Sequence, residues 1–211
     1  MKTDIPKPTL DRLVSLARLL NQLEKDISVV SSAELEKLTG WSRDTIRRDI
    51  SLLNGSCATA GGYKISALKD TIHQCIGSPG ETKKCCIVGL GRMGEALIEY
   101  KGFENTAFKL VAGFDSNVNR TETLRSPFPL YTTTKMESVI KNEQIEFAIL
   151  TVPEQSAQAV AEKLVEYGIT GIVNFTTAVL SLPEKIKIEN ISVLDAMQKL
   201  AAQYSVLGSR K

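Results

Sequence analysis

The sequence predicts an α/β fold in two parts: a small helical module with a hairpin, then a doubly wound parallel sheet followed by a final helix. Three observations predict it. Residues 85–175 alternate short apolar runs with amphipathic helical segments, the pattern of parallel strands joined by crossover helices. The run Gly89-Leu90-Gly91-Arg92-Met93-Gly94 falls between one of those apolar runs and the helix after it. The first 80 residues instead carry closely spaced helical patterns and the pair Gly61-Gly62.

Composition bounds the function classes. A chain of 211 residues can form one large or two small domains with adequate cores, and its 43% hydrophobic and 24% charged residues are ordinary for a soluble globular protein. No apolar stretch approaches the roughly 20 residues of a membrane span. The segment Met1 to Pro8 lacks the apolar region of a secretory signal, so a cytoplasmic protein without a membrane partner is expected. Cys57, Cys75, Cys85 and Cys86 show no C-x-x-C spacing, which argues against a zinc site or a disulfide framework. Cys85 and Cys86 read as small core residues. His73, the only histidine, reads as structural. The net charge of +2 says little about nucleic acid: residues 1–80 hold 11 Lys/Arg against 9 Asp/Glu, so any basic footprint must come from clustering.

In chain order, Thr9 is the predicted N-cap of a long first helix with Leu10, Leu13, Val14, Ala17 and Leu20 on one row and Leu16, Leu19 and Leu23 beside it. Ser31 and Glu34 form a capping box that opens a short helix carrying Leu35 and Leu38, which Gly40 stops. After the turn at Trp41, Ser42 caps a third helix to about Leu53, and Asn54-Gly55 ends it. Short helix, tight turn and helix are helix-turn-helix grammar. On the third helix Arg43, Arg47 and Arg48 fall mostly away from the apolar row Ile46, Ile50, Leu53. They project with Thr45 and Ser51, a set able to bond phosphates and base edges in a major groove. Residues 58–65 read as a small hairpin, the wing of a winged helix. Ser66 caps a helix to about Ile76, and residues 77–84 read as a linker.

Beyond the linker the pattern reads strand 85–89, helix Arg92 to Tyr100, strand 108–115, a loop with a weak helix, helix 134–141, strand 146–152, helix 154–167 and strand 171–175. A strand-like segment Lys187 to Ile191 and a helix from about Leu194 to Val206 complete the chain. The domains are therefore read as 1–80, 81–192 and a C-terminal helix and tail, 193–211.

The glycine run carries the chemistry. Gly89 allows the tight turn leaving the strand, Gly91 lets backbone approach a pyrophosphate, and Gly94 lets the helix pack on the strand, so Arg92 and Met93 at the helix start are counted with the site. Asp115 lies 21 residues past Gly94 at the end of the next strand, where a carboxylate can accept from the adenine ribose hydroxyls. It would repel a 2′-phosphate, so NAD(H) is the expected cofactor in preference to NADP(H). After Gly94 there is no His and no Ser-x-x-x-Tyr-x-x-x-Lys arrangement, and little chain is left for a substrate domain, so an enzyme is not expected.

These residues and their order resemble one family along nearly the whole chain: the Rex redox-sensing transcriptional repressors. The matching segments are Ile5-Pro6-Lys7-Pro8-Thr9 with Arg12-Leu13, Ser31-Ser32-Ala33-Glu34-Leu35, Thr45-Ile46-Arg47-Arg48-Asp49, Gly62-Tyr63, the glycine run and Phe114-Asp115. Further on come Leu150-Thr151-Val152-Pro153 with Ala157-Gln158, Gly168-Ile169 and Gly171-Ile172-Val173-Asn174-Phe175. The resemblance implies a homodimer of winged-helix and Rossmann subunits with the C-terminal helix swapped into the partner. It implies that the apo and NAD+ forms bind AT-rich inverted repeats in double-stranded DNA and that NADH releases them. By the same resemblance Thr151, Val152, Pro153, Asn174 and Phe175 line the nicotinamide pocket, Lys7 joins the DNA-binding set, and Arg12 and Tyr100 belong to a domain-closure switch.

Three departures accompany it. The family's Ser-Tyr-Phe-Gly after the recognition helix is replaced by Ser51-Leu52-Leu53-Asn54-Gly55, and the wing segment Cys57-Ala58-Thr59-Ala60 has no basic residue for a narrow minor groove. The family's Asp before the last helix is replaced by Ser192, which cannot form an ion pair and would weaken or rewire the switch. Two other readings stay open: an NAD(H)-binding paralogue with lost or altered DNA binding, and a small NAD-dependent oxidoreductase whose first module only dimerises.

Overall fold

The computed structural model describes residues 5–53, 55, 57–76, 82–104 and 106–208. The chain divides into two compact units, residues 1–81 and 82–211, each with its own core.

In the first unit α1 (Lys7–Leu23) begins two residues ahead of the predicted cap. Pro6 precedes it, and Pro8 sits in the first turn, where a missing N–H breaks no helical bond. Thr9 is therefore inside the helix and buried, and its hydroxyl donates to Asp49 Oδ1 at 3.0 Å. Leu13, Leu16, Ala17 and Leu20 are buried as the periodicity predicts, while Leu10 and Val14 are exposed.

A two-residue strand, β1 (Val29–Val30), follows and was not read from the sequence. In α2 (Ser32–Thr39) the capping box closes as predicted: Ser31 Oγ accepts from the Glu34 N–H at 3.2 Å and Glu34 Oε2 accepts from the Ser31 N–H at 2.7 Å. Ser42 caps α3 (Arg43–Ser51) by accepting from the Thr45 N–H at 3.2 Å. The helix ends before Leu53, which is buried just beyond it. Asn54, predicted to terminate this helix, lies outside the described residues. The wing is β2 (Ala58–Thr59) and β3 (Gly62–Lys64), antiparallel, with β1 on the other edge of β3. The helix α4 (Ile65–Ile76) starts at Ile65, one residue before its predicted cap, Ser66. Leu13 and Leu20 of α1 share a core with Leu35, Ile46, Ile65, Leu68 and Ile72, which fixes α3 by its apolar side and leaves its other side outward.

The second unit opens with β4 (Lys83–Val88), so Lys83 and Lys84 belong to a strand and not to the predicted linker, whose residues 77–81 lie outside the described set. There follow α5 (Arg92–Ile98), β5 (Phe108–Asp115), α6 (Val118–Thr123), β6 (Leu130–Thr132), α7 (Met136–Glu143), β7 (Phe147–Leu150), α8 (Glu154–Tyr167), β8 (Gly171–Asn174), β9 (Lys187–Asn190) and α9 (Val193–Gly208). The α5 helix is shorter than its predicted Arg92 to Tyr100, a 3-10 turn at Thr133–Lys135 delays the start of α7, and β6 was not read from the sequence. The strands run β6-β5-β4-β7-β8-β9, and every adjacent pair is parallel. Numbered within the unit this is the order 3-2-1-4-5-6 of the Rossmann fold, so the doubly wound prediction holds. The crevice expected of such a sheet opens where the order reverses, at the carboxyl ends of β4 and β7.

Cys85 and Cys86 are buried in β4 as predicted, and burial pushes the Cys85 thiol up to about 11 and the Cys86 thiol further still. Both are held as neutral thiols. The helix α9 is exposed along its described side chains, including Val193, Leu194, Met197, Leu200 and Tyr204. Among the described residues no helix is long and apolar enough to cross a membrane.

Candidate cofactor site and nucleic-acid interface

A cleft of about 790 Å³ lies at the carboxyl ends of β4, β5 and β7. Gly89 leaves β4 at φ +96°, and a side chain there would meet the Thr151 backbone at 2.7 Å. Gly94 is packed still closer: a methyl group on it would stand 2.0 Å from Gly89 O. Gly91 differs from both, because the nearest heavy atom to a methyl group on it is Arg120 Nη1, 4.0 Å away. The run thus has two glycines demanded by the protein's own packing and one whose missing side chain leaves room in the cleft. A diphosphate approaching the backbone needs such room.

Asp115 terminates β5 and is buried, and within the protein its carboxylate is held by two backbone N–H groups. Oδ2 accepts from the Leu90 N–H at 2.7 Å and Oδ1 from the Asn117 N–H at 2.7 Å. The carboxylate therefore ties the glycine turn to the start of α6. A carboxylate has about four lone-pair sites, so two backbone bonds do not exhaust it. Arg120 of α6 reaches Oδ2 at 3.4 Å and lines the cleft. It was missed because α6 carries no apolar period, and the available signal was its position just past the acid that ends β5.

Of the other predicted cofactor residues, Thr151, Val152 and Pro153 line the cleft. The Thr151 hydroxyl lies 2.6 Å from Gly89 O and 3.1 Å from Val88 O, which locks the start of the glycine turn to the end of β7. Arg92, Met93 and Gly94 do not line it, nor do Asn174 and Phe175. Asn174 is buried and fully engaged: Nδ2 donates to Ala178 O at 3.0 Å and Asn190 Oδ1 at 2.9 Å, and Oδ1 accepts from Thr176 N–H and Oγ1. Phe175 packs with Ile87, Leu90 and Ile149 in a core of the unit. Both residues shape the loop after β8. Ser116, Thr133, Thr134, Glu137 and Lys163 also line the cleft and were not predicted.

On α3, Arg47, Arg48 and Ser51 are exposed, and Thr45 is half-buried beside its cap, with Oγ1 2.9 Å from Ser42 Oγ. Arg43 is exposed but held, its Nε donating to Glu36 Oε2 at 2.6 Å. Lys7 is exposed in the first turn of α1. The wing tip Ala60-Gly61 carries no charge, and Lys64 at the end of β3 is exposed.

The three residues assigned to a switch lie in different settings. Arg12 donates through Nε and Nη2 to Asp49 at 2.5 and 2.8 Å, and Nη2 also reaches Thr9 Oγ1 at 3.2 Å, so its acid partner is in α3 of its own unit. Tyr100 is exposed, edge-on to Phe103, and lines a separate cleft of about 560 Å³. Ser192 Oγ accepts from the Asp195 N–H at 3.1 Å and caps α9. Among the described residues no group of three or more His, Cys, Asp or Glu side chains could hold a metal ion.

Two family models match the chain. A family model described as a putative DNA-binding protein N-terminus matches residues 4–51, and one described as a CoA binding domain matches residues 80–178. The redox-sensing transcriptional repressor Rex of Exiguobacterium sibiricum is 34% identical over 94% of this chain and 90% of its own length. Rex of Limosilactobacillus reuteri is 35% identical over 93% of this chain and 92% of its own. Among solved structures, the Rex-family repressor RSP in complex with NADH superposes with a TM-score of 0.86 at 27% identity, covering all of both chains. RSP in complex with NAD+ and operator DNA gives 0.85 at 27% identity, again over the full length of both. Identity at this level over nearly the full length, joined to a sheet order and a glycine turn that follow from the chain's own residues, makes this chain a member of the Rex family of redox-sensing transcriptional repressors.

Proposed function

We propose that this chain is a homodimeric repressor that binds an AT-rich inverted repeat through α3 of each copy and leaves it when NADH occupies the cleft above β4 and β5. The observation that carries the reading is the open face of Gly91 in a chain that also holds a capped, arginine-bearing recognition helix. The relatives crystallised with NADH, and with NAD+ and operator DNA, support both halves.

Residues 1–80 form the DNA-binding domain in this reading, 81–192 the cofactor domain, and 193–211 the dimerisation helix and tail. The turn at Gly89 and Gly91 faces the pyrophosphate, with Arg92, Met93 and Gly94 at the start of the helix behind it. Asp115 accepts from the ribose with the lone pairs its backbone bonds leave over, and Thr151 to Pro153 border the nicotinamide end, with Asn174 and Phe175 fixing the loop behind. When bound, the cofactor supplies a ring whose charge differs by one between its oxidised and reduced forms, and a low-dielectric pocket favours the neutral form. That difference in affinity is what shifts the population between DNA-binding and released states. Lys7, Arg47, Arg48, Thr45 and Ser51 meet phosphates and base edges. The exposed apolar row of α9 is covered by a second copy, and the resulting two-fold symmetry is what an inverted repeat matches. Such a regulator works in the cytoplasm.

One titration tests this: fluorescence anisotropy of a labelled AT-rich palindromic duplex with the protein alone, with NAD+ and with NADH, at one fixed salt concentration. Tight binding abolished by NADH alone is the expected result. Binding indifferent to NADH would remove the sensor, and no specific binding in any state would leave a nucleotide-binding relative without an operator, as its uncharged wing tip allows.

A further inference from the structure

The ion pair between α2 and α3 does something a surface salt bridge does not ordinarily do. Glu36 uses both carboxylate oxygens on one residue: Oε2 accepts from Arg43 Nε at 2.6 Å and Oε1 from the Arg43 backbone N–H at 3.3 Å. Arg43 is the first residue of α3, directly after the Ser42 cap. The guanidinium is thereby fixed at the N-terminal end of the recognition helix, and its side chain is still 54% exposed. Its two Nη groups make no hydrogen bond among the described residues. The arginine hydrogen bond holds the Glu36 carboxyl below its ordinary value of 4.5, so the pair is ionised at neutral pH.

Two physical consequences separate Arg43 from Arg47 and Arg48. The first is charge: paired with Glu36, Arg43 contributes no net positive charge, so it adds little to counterion-releasing attraction to phosphates. The second is geometry. A guanidinium held through Nε keeps its outer edge of two Nη groups, the fork that matches O6 and N7 of guanine. In helix-turn-helix proteins the N-terminal residues of the second helix meet base edges, while the first helix crosses the backbone. Pre-orientation removes rotamer freedom before binding, which favours a directional contact over a diffuse one.

We propose that Arg43 is a base-reading residue that donates through its Nη fork to a guanine in the major groove, with Glu36 as its positioning residue. The inference rests on the DNA-binding reading above and adds one base pair of specificity to each half-site, read at the leading end of α3.

The test is selection of duplexes from a random pool by the full chain, followed by affinity measurements on the selected site. The unmodified protein should select a G·C pair at one symmetric position, and replacing that pair by A·T should weaken binding about 5- to 150-fold. Arg43→Ala should lose the preference at that position alone and keep the slope of affinity against salt, whereas Arg47→Ala should keep the preference and show a shallower slope. Glu36→Gln should reduce the preference while freeing the Arg43 charge, so that the salt slope steepens by up to about one and the unfolding temperature stays nearly unchanged, a result that a merely structural salt bridge does not give. An unchanged sequence preference in Arg43→Ala, or a uniform loss of affinity with a shallower slope, would overturn the proposal while leaving the DNA-binding reading intact. Failure of the unmodified protein to select any site would bring down both.

Discussion

Replacing Arg12 by alanine should destabilise the first unit more than replacing Asp49, although each change removes the same ion pair. The asymmetry comes from burial: the Asp49 side chain keeps 5% of its exposure and that of Arg12 keeps 27%. An orphaned arginine can turn its head to water on its long stem. An orphaned Asp49 stays in the core with, among the described residues, the Thr9 hydroxyl as its remaining side-chain donor. Breaking a buried pair by removing one partner costs about 3–5 kcal/mol, and the partial exposure of Arg12 puts this pair at the lower end. We therefore expect about 3 kcal/mol for Arg12→Ala and about 2 kcal/mol for Asp49→Ala, where Thr9 also loses its acceptor. The double variant leaves neither charge behind and should cost about 2 kcal/mol, well short of the sum.

The assay is calorimetric unfolding of the full chain. For a unit of about 80 residues each kcal/mol moves the midpoint by about 4–8 °C, so Arg12→Ala should lower that transition by roughly 12–24 °C at neutral pH. Additive losses, or an Asp49→Ala variant less stable than Arg12→Ala, would refute the burial argument.

The glycine run makes a paired prediction: Gly91→Val should unfold within about 1 kcal/mol of the unmodified chain yet lose NADH binding by calorimetric titration, because its added atoms enter the cleft. Gly94→Ala, with a methyl 2.0 Å from Gly89 O, should instead destabilise the second unit, and thermal unfolding would show it. In the proposed dimer, Leu200→Asp places a charge on the apolar row of α9 in both copies. At about 1.5–3 kcal/mol for each buried side chain it should raise the dimer dissociation constant at least 100-fold in sedimentation velocity. The Cys85 thiol is raised by burial from 9.0 to about 11, so its contribution is fully present below pH 9 and is lost as pH rises from 9 towards 11. Cys85→Ala should flatten the alkaline arm of a stability profile in that window.

The parts legible in the sequence were those where local chemistry has one solution. Ser31 with Glu34, Ser42 before α3 and the full span of α8 came through because caps and long periodic runs carry their own signal. The strands β1 and β6, of two and three residues, are too short to show a period and exist only by pairing with β3 and β5. Thr9 was misread for a related reason: a threonine ahead of an apolar row looks like a cap, and nothing local shows that its hydroxyl is taken by Asp49, 40 positions away. In the site, Gly89, Gly94 and Asp115 were legible because a strand-to-helix turn requires them. Arg120 and the Asn174 network were not, since both depend on which loops the sheet order brings together. The Glu36–Arg43 pair spans the turn of the helix-turn-helix, a spacing outside the i,i+3 and i,i+4 pairs by which side chains are matched on one helix.

The same energies bear on how a redox signal reaches the DNA face. Moving an equilibrium from 1:99 to 99:1 requires a ligand to prefer one state by about 5.5 kcal/mol. A switch that pulled Arg12 off Asp49 would consume about 3 kcal/mol of that preference unless another acid received it. Ser192 carries no charge, and its hydroxyl is committed to the Asp195 N–H as the cap of α9, so the acceptor that would compensate is missing there. A winged helix that moves as one body, with Arg12 and Asp49 still paired, has no such cost to meet. In that case the pair sets the stability of α3 and not the response to NADH. Asp49→Asn, which keeps an oxygen for the Arg12 donors, should then bind operator DNA less stably yet release it at an unchanged NADH concentration. Intact DNA binding with a lost NADH response in that variant would show that the pair itself is the switch.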